Sequence, residues 1–248
     1  MIPLIRGWTD VQRTPQANTR LGVTLAAVAG AANAGGFLAV NQYTSHMTGV
    51  VSGMADALVL GHTSTALVGL AMLLAFVTGA MCTALLVNWG MRHHLHSAYG
   101  LPLLLEAALL LVFGLFGGAI AVAAHLFVPL TVVLLCFIMG LQNAVITKIS
   151  RAEIRTTHIT GLVTDMGIEL GKLLYINPAP SENPVRANRD KLRLQVKLIT
   201  AFALGALAGA MGFKHVGYIA TLPLALALLA LVIKPLWKDL HPSAYPAA

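Results

Sequence analysis

The sequence predicts an all-α, polytopic membrane protein: six transmembrane helices plus two short re-entrant half-helices in an inverted repeat. Three observations predict it. Of 248 residues, 57% are hydrophobic and only 10% are charged, whereas a soluble domain carries about 25% charged residues. So few charges cannot cover a water-facing surface. Six apolar stretches, 21–40, 65–88, 101–124, 128–147, 198–213 and 216–233, reach or approach the length that crosses a bilayer, about 20 residues. Finally, one polar segment occurs twice in this apolar chain. Residues Thr44 to Met54 and Thr156 to Met166 both read T-[ST]-H-[MI]-T-G-[VL]-V-[ST]-x-M, and each copy follows an Asn-Ala pair, Asn33-Ala34 or Asn143-Ala144.

The elements follow in order. Residues 1–20 are polar, carry Arg6, Arg13 and Arg20, and lack the apolar run of a cleavable signal peptide, so the first span is expected to be the targeting signal. The Gly35-Gly36 pair lets that span bend. Residues 47–61 hold the first copy of the repeated segment, and Thr44 or Ser45 is the expected N-cap of a short helix there. The span 101–124 begins near Pro102 and carries Glu106, which is close enough to the end to reach the cytoplasmic surface. Its Gly114, Gly117 and Gly118 mark a packed face. Residues 159–175 repeat the short helix, capped by Thr156 or Thr157. The 177–188 stretch, with Pro178, Pro180 and Pro184, reads as a loop. The last two spans are short between charges and are completed by snorkelling Lys197, Lys214 and Lys234. Pro242 and Pro246 mark a loose tail. The whole is one membrane domain with halves of about 20–125 and 126–234.

The charges choose the topology. If both repeated segments crossed the membrane, the loop with Arg92 and the loop with Lys148, Arg151 and Arg155 would lie opposite the basic amino terminus. If each segment instead dips in and returns, those loops, the basic 180–197 stretch and the tail with Lys234 and Lys238 all fall on the cytoplasmic side, and only Lys214 lies outside. Both termini are then cytoplasmic. Each half holds three spans, so the second half enters upside down, and the two dips meet near the midplane.

The repeated segment carries the chemistry. A helix that starts at membrane depth presents unpaired N–H groups and a partial positive charge, a ready site for an anion or carboxylate. His46 and His158 can donate to a solute or carry a proton, and Thr48 and Thr160 add hydroxyls. Gly49 and Gly161 admit close approach to the backbone, or serve helix packing. Asn33 and Asn143, with Gln142, can hold the broken backbone of the neighbouring dip or touch the solute. Asp165 is the candidate for coupling or support, and it matches Gly53 rather than Asp56 of the first copy. Glu169 with Lys172 reads as an ordinary ion pair. The His93-His94-x-His96 cluster reads as a solvated loop rather than a metal site. Cys82 and Cys136 lie within spans, as small apolar residues and not as a disulfide.

No Walker A sequence, zinc-protease motif or nucleophile elbow occurs. The net charge of +7 fits basic cytoplasmic loops better than nucleic acid. The expected partners are therefore a small solute and the bilayer, with room for a homo-oligomer. No cofactor, metal or catalytic residue is expected.

At these residues the chain resembles the YoaK family of bacterial inner-membrane proteins, long labelled a domain of unknown function. The resemblance rests on Gly140-Leu141-Gln142-Asn143-Ala144, Thr48-Gly49, Thr160-Gly161, Asp165-Met166-Gly167 and Leu170-Gly171, and it covers essentially the whole chain. It implies an inner-membrane protein of the kind described as small-molecule transporters. Two departures stand out. The family commonly has Asp-Ala where this chain has Asn33-Ala34, and Thr-Gly-Asn where it has Thr48-Gly49-Val50; a different or less polar solute is implied. The reading is a transporter or channel for a small polar or anionic solute, bound between the two half-helix starts. The alternatives are a membrane enzyme with a centre of His46, His158 and Asp165, or a non-transporting structural or regulatory protein.

Overall fold

The computed structural model describes residues 8–11, 13–122, 124–178 and 183–241, with only the backbone described over 116–129. Arg6, Pro180, Pro242 and Pro246 lie outside these residues, and Gly117 and Gly118 fall in the backbone-only stretch. All regular structure among the described residues is helical. The order is α1 (Pro15–Val40), α2 (Met47–Val59), α3 (Thr63–Arg92), α4 (Gly100–Val122), α5 (Ala124–Ile149), α6 (Ile159–Leu174), α7 (Arg189–Val216), a 3₁₀ turn (Gly217–Thr221) and α8 (Leu222–Leu240). By length and composition, Pro15–Val40, Thr63–Arg92, Leu130–Ile149 and the run Arg189–Leu240 are long and apolar enough to cross a membrane. The last run is two helices. It breaks at Gly217, whose φ of 61° is left-handed backbone that glycine adopts without strain. The apolar stretch expected to begin at 216 therefore starts its helix six residues later, at Leu222.

Local signals set the ends. The Thr14 hydroxyl accepts a hydrogen bond from the Ala17 N–H at 3.2 Å, with Pro15 in the first turn of α1. Asn41 closes α1 in the left-handed region (φ 54°, ψ 28°). Asn188 caps α7 by accepting from the Lys191 N–H at 2.9 Å, and Asp190 complements the dipole in that first turn.

Packing is dominated by three helix pairs, α1 with α7, α3 with α5, and α4 with α8. In lipid the hydrophobic effect gives helices no reason to associate, so close backbone packing must supply the attraction. Glycines provide it reciprocally. A Cβ on Gly30 would overlap the Phe202 carbonyl, and one on Gly205 would overlap the Ala27 carbonyl. In the other pair, Gly140 faces the Phe76 carbonyl and Gly79 faces that of Phe137. The Thr83 hydroxyl adds a hydrogen bond to the Leu141 carbonyl at 2.9 Å.

The contacts also give directions. Gly205 meets Ala27 and Gly209 meets Ala31, so α1 and α7 run parallel. Thr83 reaches Leu141, and Lys148 reaches Asn88 at 3.1 Å, so α3 and α5 are parallel too. The first helices of the two halves run in opposite senses: Gly22 lies against Ile146 and Gly36 against Leu135, which makes α1 and α5 antiparallel. In the third pair, Gly100 meets Val232 and the Thr221 hydroxyl donates to the Leu110 carbonyl at 3.0 Å, again antiparallel.

One end of the bundle is tied by polar contacts. The Thr9 hydroxyl donates to the Leu231 carbonyl at 2.9 Å, and Lys238 pairs with Asp10 at 2.7 Å. The Arg13 guanidinium lies 4.3 Å from the centre of the Tyr99 ring. The Asp239 carboxylate accepts the backbone N–H groups of His96 (2.7 Å) and Ser97 (2.9 Å) and pairs with the His96 ring. Burial pushes the Asp239 carboxyl up, but the hydrogen bonds from Ser97 and His96 outweigh it and hold the group below its ordinary range. The histidine-rich loop is thus a tether between the α3–α4 connection and α8. Glu106 does not reach the surface: it is fully buried and neither oxygen has a hydrogen-bond partner.

Candidate functional site

The two copies of the repeated segment fold alike. His46 and His158 are themselves the N-cap residues of α2 and α6, with φ/ψ of −95°/69° and −83°/56°, and no side chain caps either start. The expected caps are employed elsewhere. Asn33 Oδ1 accepts from the Ser45 N–H at 3.2 Å and from its hydroxyl at 2.9 Å. Asn143 Oδ1 accepts from the Thr157 hydroxyl at 2.7 Å, while its Nδ2 donates to the Met139 carbonyl at 2.8 Å. Each asparagine therefore fastens the chain just before a short helix, the structural one of its two expected uses. An Asn serves well because its amide can accept from the segment while donating to its own helix.

Thr44 and Thr156 are buried at the same place in each copy, and both hydroxyls lack a partner. A buried hydroxyl left unpaired costs about 1–3 kcal/mol, so two at matched positions beside two uncapped helix starts are a feature to explain. The glycines have a role of their own. A Cβ on Gly49 would overlap the His46 ring, and one on Gly161 would overlap the His158 ring. The room over each glycine is filled by the imidazole one turn before it. His46, Thr48, His158 and Thr160 are exposed.

The surroundings of the two starts differ. α2 packs on α3 and α6 on α7, rather than on each other. Beside α2 lies a cavity of about 300 Å³ lined by Gln42, Tyr43, His46, Gly49, Gly69 and Met72, among others. Tyr43 is held by stacking on Phe37, ring centres 4.5 Å apart. At α6, the His158 Nδ1 lies 3.3 Å from the Arg155 guanidinium. Asp165 pairs with Lys191 at 3.0 Å, each about half exposed; its ion partner is the start of α7. Glu169 accepts from Lys172 at 2.9 Å and from the Asn188 N–H at 2.7 Å, the ordinary pairing expected of it, with a backbone cap added. Among the described residues no group of three or more His, Cys, Asp or Glu is placed to hold a metal ion, so His46, His158 and Asp165 are not gathered into one centre.

The sequence profile that matches carries the description "Protein of unknown function (DUF1275)" and covers residues 21–234. The chain belongs to the DUF1275 family. No curated protein and no solved structure matches it.

Three features of this DUF1275 chain were not read from its sequence: Thr44 and Thr156 as buried hydroxyls, Gln195 as a buried amide with no partner, and Glu106 as a core residue. For the threonines the signal was present, since both positions are Thr in both copies while their neighbours vary. Gln195 lies on a helix whose first turns are highly charged, which hides a buried position.

Proposed function

We propose that this protein is a transporter or channel for a small polar or anionic solute, with the two uncapped helix starts as its binding elements. The observation that carries the reading is the pairing, in both copies, of an uncapped start with a buried and unpartnered threonine hydroxyl, Thr44 or Thr156. Free N–H donors at a helix start favour negative charge, and a hydroxyl can donate to the same ligand. The exposed His46, Thr48, His158 and Thr160 are the side chains that meet solute as it arrives. No Walker A motif occurs in the sequence, and among the described residues no clustered metal site competes for these side chains.

The membrane arrangement in this reading is six spans with α2 and α6 as half-helices, in the bacterial inner membrane with both termini cytoplasmic. Its narrower likeness to the YoaK proteins belongs to the same proposal. Helix direction supports the inversion: eight alternating spans would make α1 and α5 parallel, and they are antiparallel. The cavity supports the depth. It brings His46 beside Gly69 and Met72, six and nine residues into α3, which at 1.5 Å per residue is about 9–13 Å inside the start of that helix. α2 thus begins below the end of the bundle and climbs outward, as half-helices at a midplane site do.

The test is flux. Proteoliposomes are challenged with gradients of acetate, nitrate and glycerol, and volume change is followed by light scattering. Protein-dependent entry of at least one of these solutes is expected, and it should fall in Thr48→Val/Thr160→Val and in His46→Ala/His158→Ala. Entry that survives both double variants removes the helix starts as the site.

A further inference from the structure

Glu106 has no part in the reading above. It sits in α4, fully buried, and both of its carboxyl oxygens lack a hydrogen-bond partner. Gln142 in α5 is also fully buried, and both ends of its amide are unpartnered. The two lie at one level. Leu101 touches the Gly90 position and Lys148 reaches Asn88, which fixes a common floor for α3, α4 and α5. Glu106 is five residues above Leu101 and Gln142 six above Lys148, about 8 and 9 Å inward at helical rise. α4 and α5 pack against each other.

A carboxylate without partners in a dry core is an uncompensated charge, which is not tolerated there. No ionisable side chain hydrogen-bonds the Glu106 carboxyl. Arg92 ends α3; Cys136 and Lys148 lie on α5; Tyr218 lies in the 3₁₀ turn; Lys234, Lys238 and Asp239 close α8. None of them hydrogen-bonds Glu106, and Lys148, Lys238 and Asp239 are engaged with Asn88, Asp10 and His96–Ser97. The charge state that fits this environment is the neutral acid.

We propose that Glu106 is a proton-binding site in the core of the bundle, holding its proton while the site is closed and exchanging it when the site opens to water. The bond formed is O–H on a Glu106 oxygen, and the proton comes from and returns to bulk water. Gln142, whose amide can donate or accept, is the group placed at the right level to greet either form of the carboxyl. The binding of a proton stands on the burial of Glu106 alone; only its use in driving solute rests on the transport reading.

The test is chemical and needs no solute. Protein in lipid nanodiscs is treated with dicyclohexylcarbodiimide, a lipid-soluble reagent that adds to protonated carboxyls in apolar surroundings to give a stable N-acylurea. Peptide mapping should find the adduct on Glu106, formed faster in mildly acid than in alkaline buffer, and lost in Glu106→Gln. Glu106→Asp keeps the carboxyl and should retain an adduct, which guards against a Gln variant that merely misfolds. An unlabelled Glu106, with adduct at Asp165 or Glu169 or nowhere, overturns the proposal. So does labelling suppressed by sodium chloride at fixed pH but not by choline chloride, which would make this a metal-cation site. Either failure leaves the flux result at the helix starts untouched.

Discussion

Beside the start of α2 lies a cavity, and the Met54 side chain of α2 sits over Gly69 in its wall. The elements around the start of α6 carry polar side chains instead. The repeated Ala-Phe-x-x-Gly-Ala of α3 (Ala75 to Ala80) and α7 (Ala201 to Ala206) aligns Gly69 with Gln195 and Thr65 with Lys191, and the His-Thr-Gly repeat aligns Gly53 with Asp165. So where the first half has Gly69, Thr65 and Gly53, the second has a buried glutamine and an ion pair, Asp165 with Lys191. The backbone frame is common to both: tethering asparagine, buried threonine, histidine N-cap and glycine under the ring. The frame is repeated, and the facing helices differ: a cavity lies beside the first start, and an ion pair and a buried glutamine lie on the elements of the second.

The largest effect should come from breaking the frame itself. Gly30→Val would drive a side chain into the Phe202 carbonyl, and overpacking of this kind costs about 1–3 kcal/mol, more where backbone must move. Its thermal unfolding in nanodiscs should fall well below wild type. Gly53→Val meets no atom within 4 Å and should remain near wild type. Equal tolerance of the two would mean that the crossing does not hold the halves in register.

A middle effect is expected from making the halves alike. Gly69→Gln gives the first half the residue of the second and pushes the Met54 side chain aside in the cavity wall, and a pocket changed by a side chain of that size alters binding by about tenfold or more. Solute entry in the scattering assay should drop by that order, while Gly171→Gln, placed where no atom lies within 4 Å, should leave it unchanged. If both variants transport normally, the cavity beside α2 is not on the path.

The smallest effect is assigned to the half-exposed pair. Lys191→Gln removes the partner of Asp165, and an ion pair this exposed is worth about 1 kcal/mol or less. The melting points of wild type and variant should converge as salt is raised. A larger, salt-insensitive loss would sharpen the comparison, because it would mean the pair is buried when the protein works.

Much of the fold was legible because lipid simplifies the code. A long apolar run without charge can only be a buried or lipid-facing helix, and each of the six predicted stretches overlaps one of the long helices, α1, α3, α4, α5, α7 and α8, even where the boundary shifted, as at Leu222. The short helices were legible through their polar repeat. Of the matching motifs of the other helices only the Asn-Ala pair was read; the match of Gly30 with Gly140, Ala-Phe-x-x-Gly-Ala, and Leu-Pro-Leu at Leu101 and Leu222 were not. They are made of residues so common in membrane helices that no single one stands out. At the site, composition gave the residues but not their hydrogen bonds. Thr44 and Ser45 are adjacent and chemically alike, and only the position of Asn33 decides which is tethered and which is buried. Glu106 was misjudged for a similar reason, since a carboxylate near a helix end can reach water or turn inward, and the neighbouring helices choose.

The way the helices pair has a consequence for the assembly of the chain. α1 finds its main partner in α7, α3 in α5 and α4 in α8, so every dominant seam joins the first half to the second. Neither half owns a core. A half-length chain with this architecture would leave each of these seams open unless a second copy packed against it, and the covalent join between α4 and α5 keeps the two halves together. Synthesis then meets an unusual delay: the first four helices enter the membrane before their companions exist, and must wait there, side by side with lipid, for the second half to arrive.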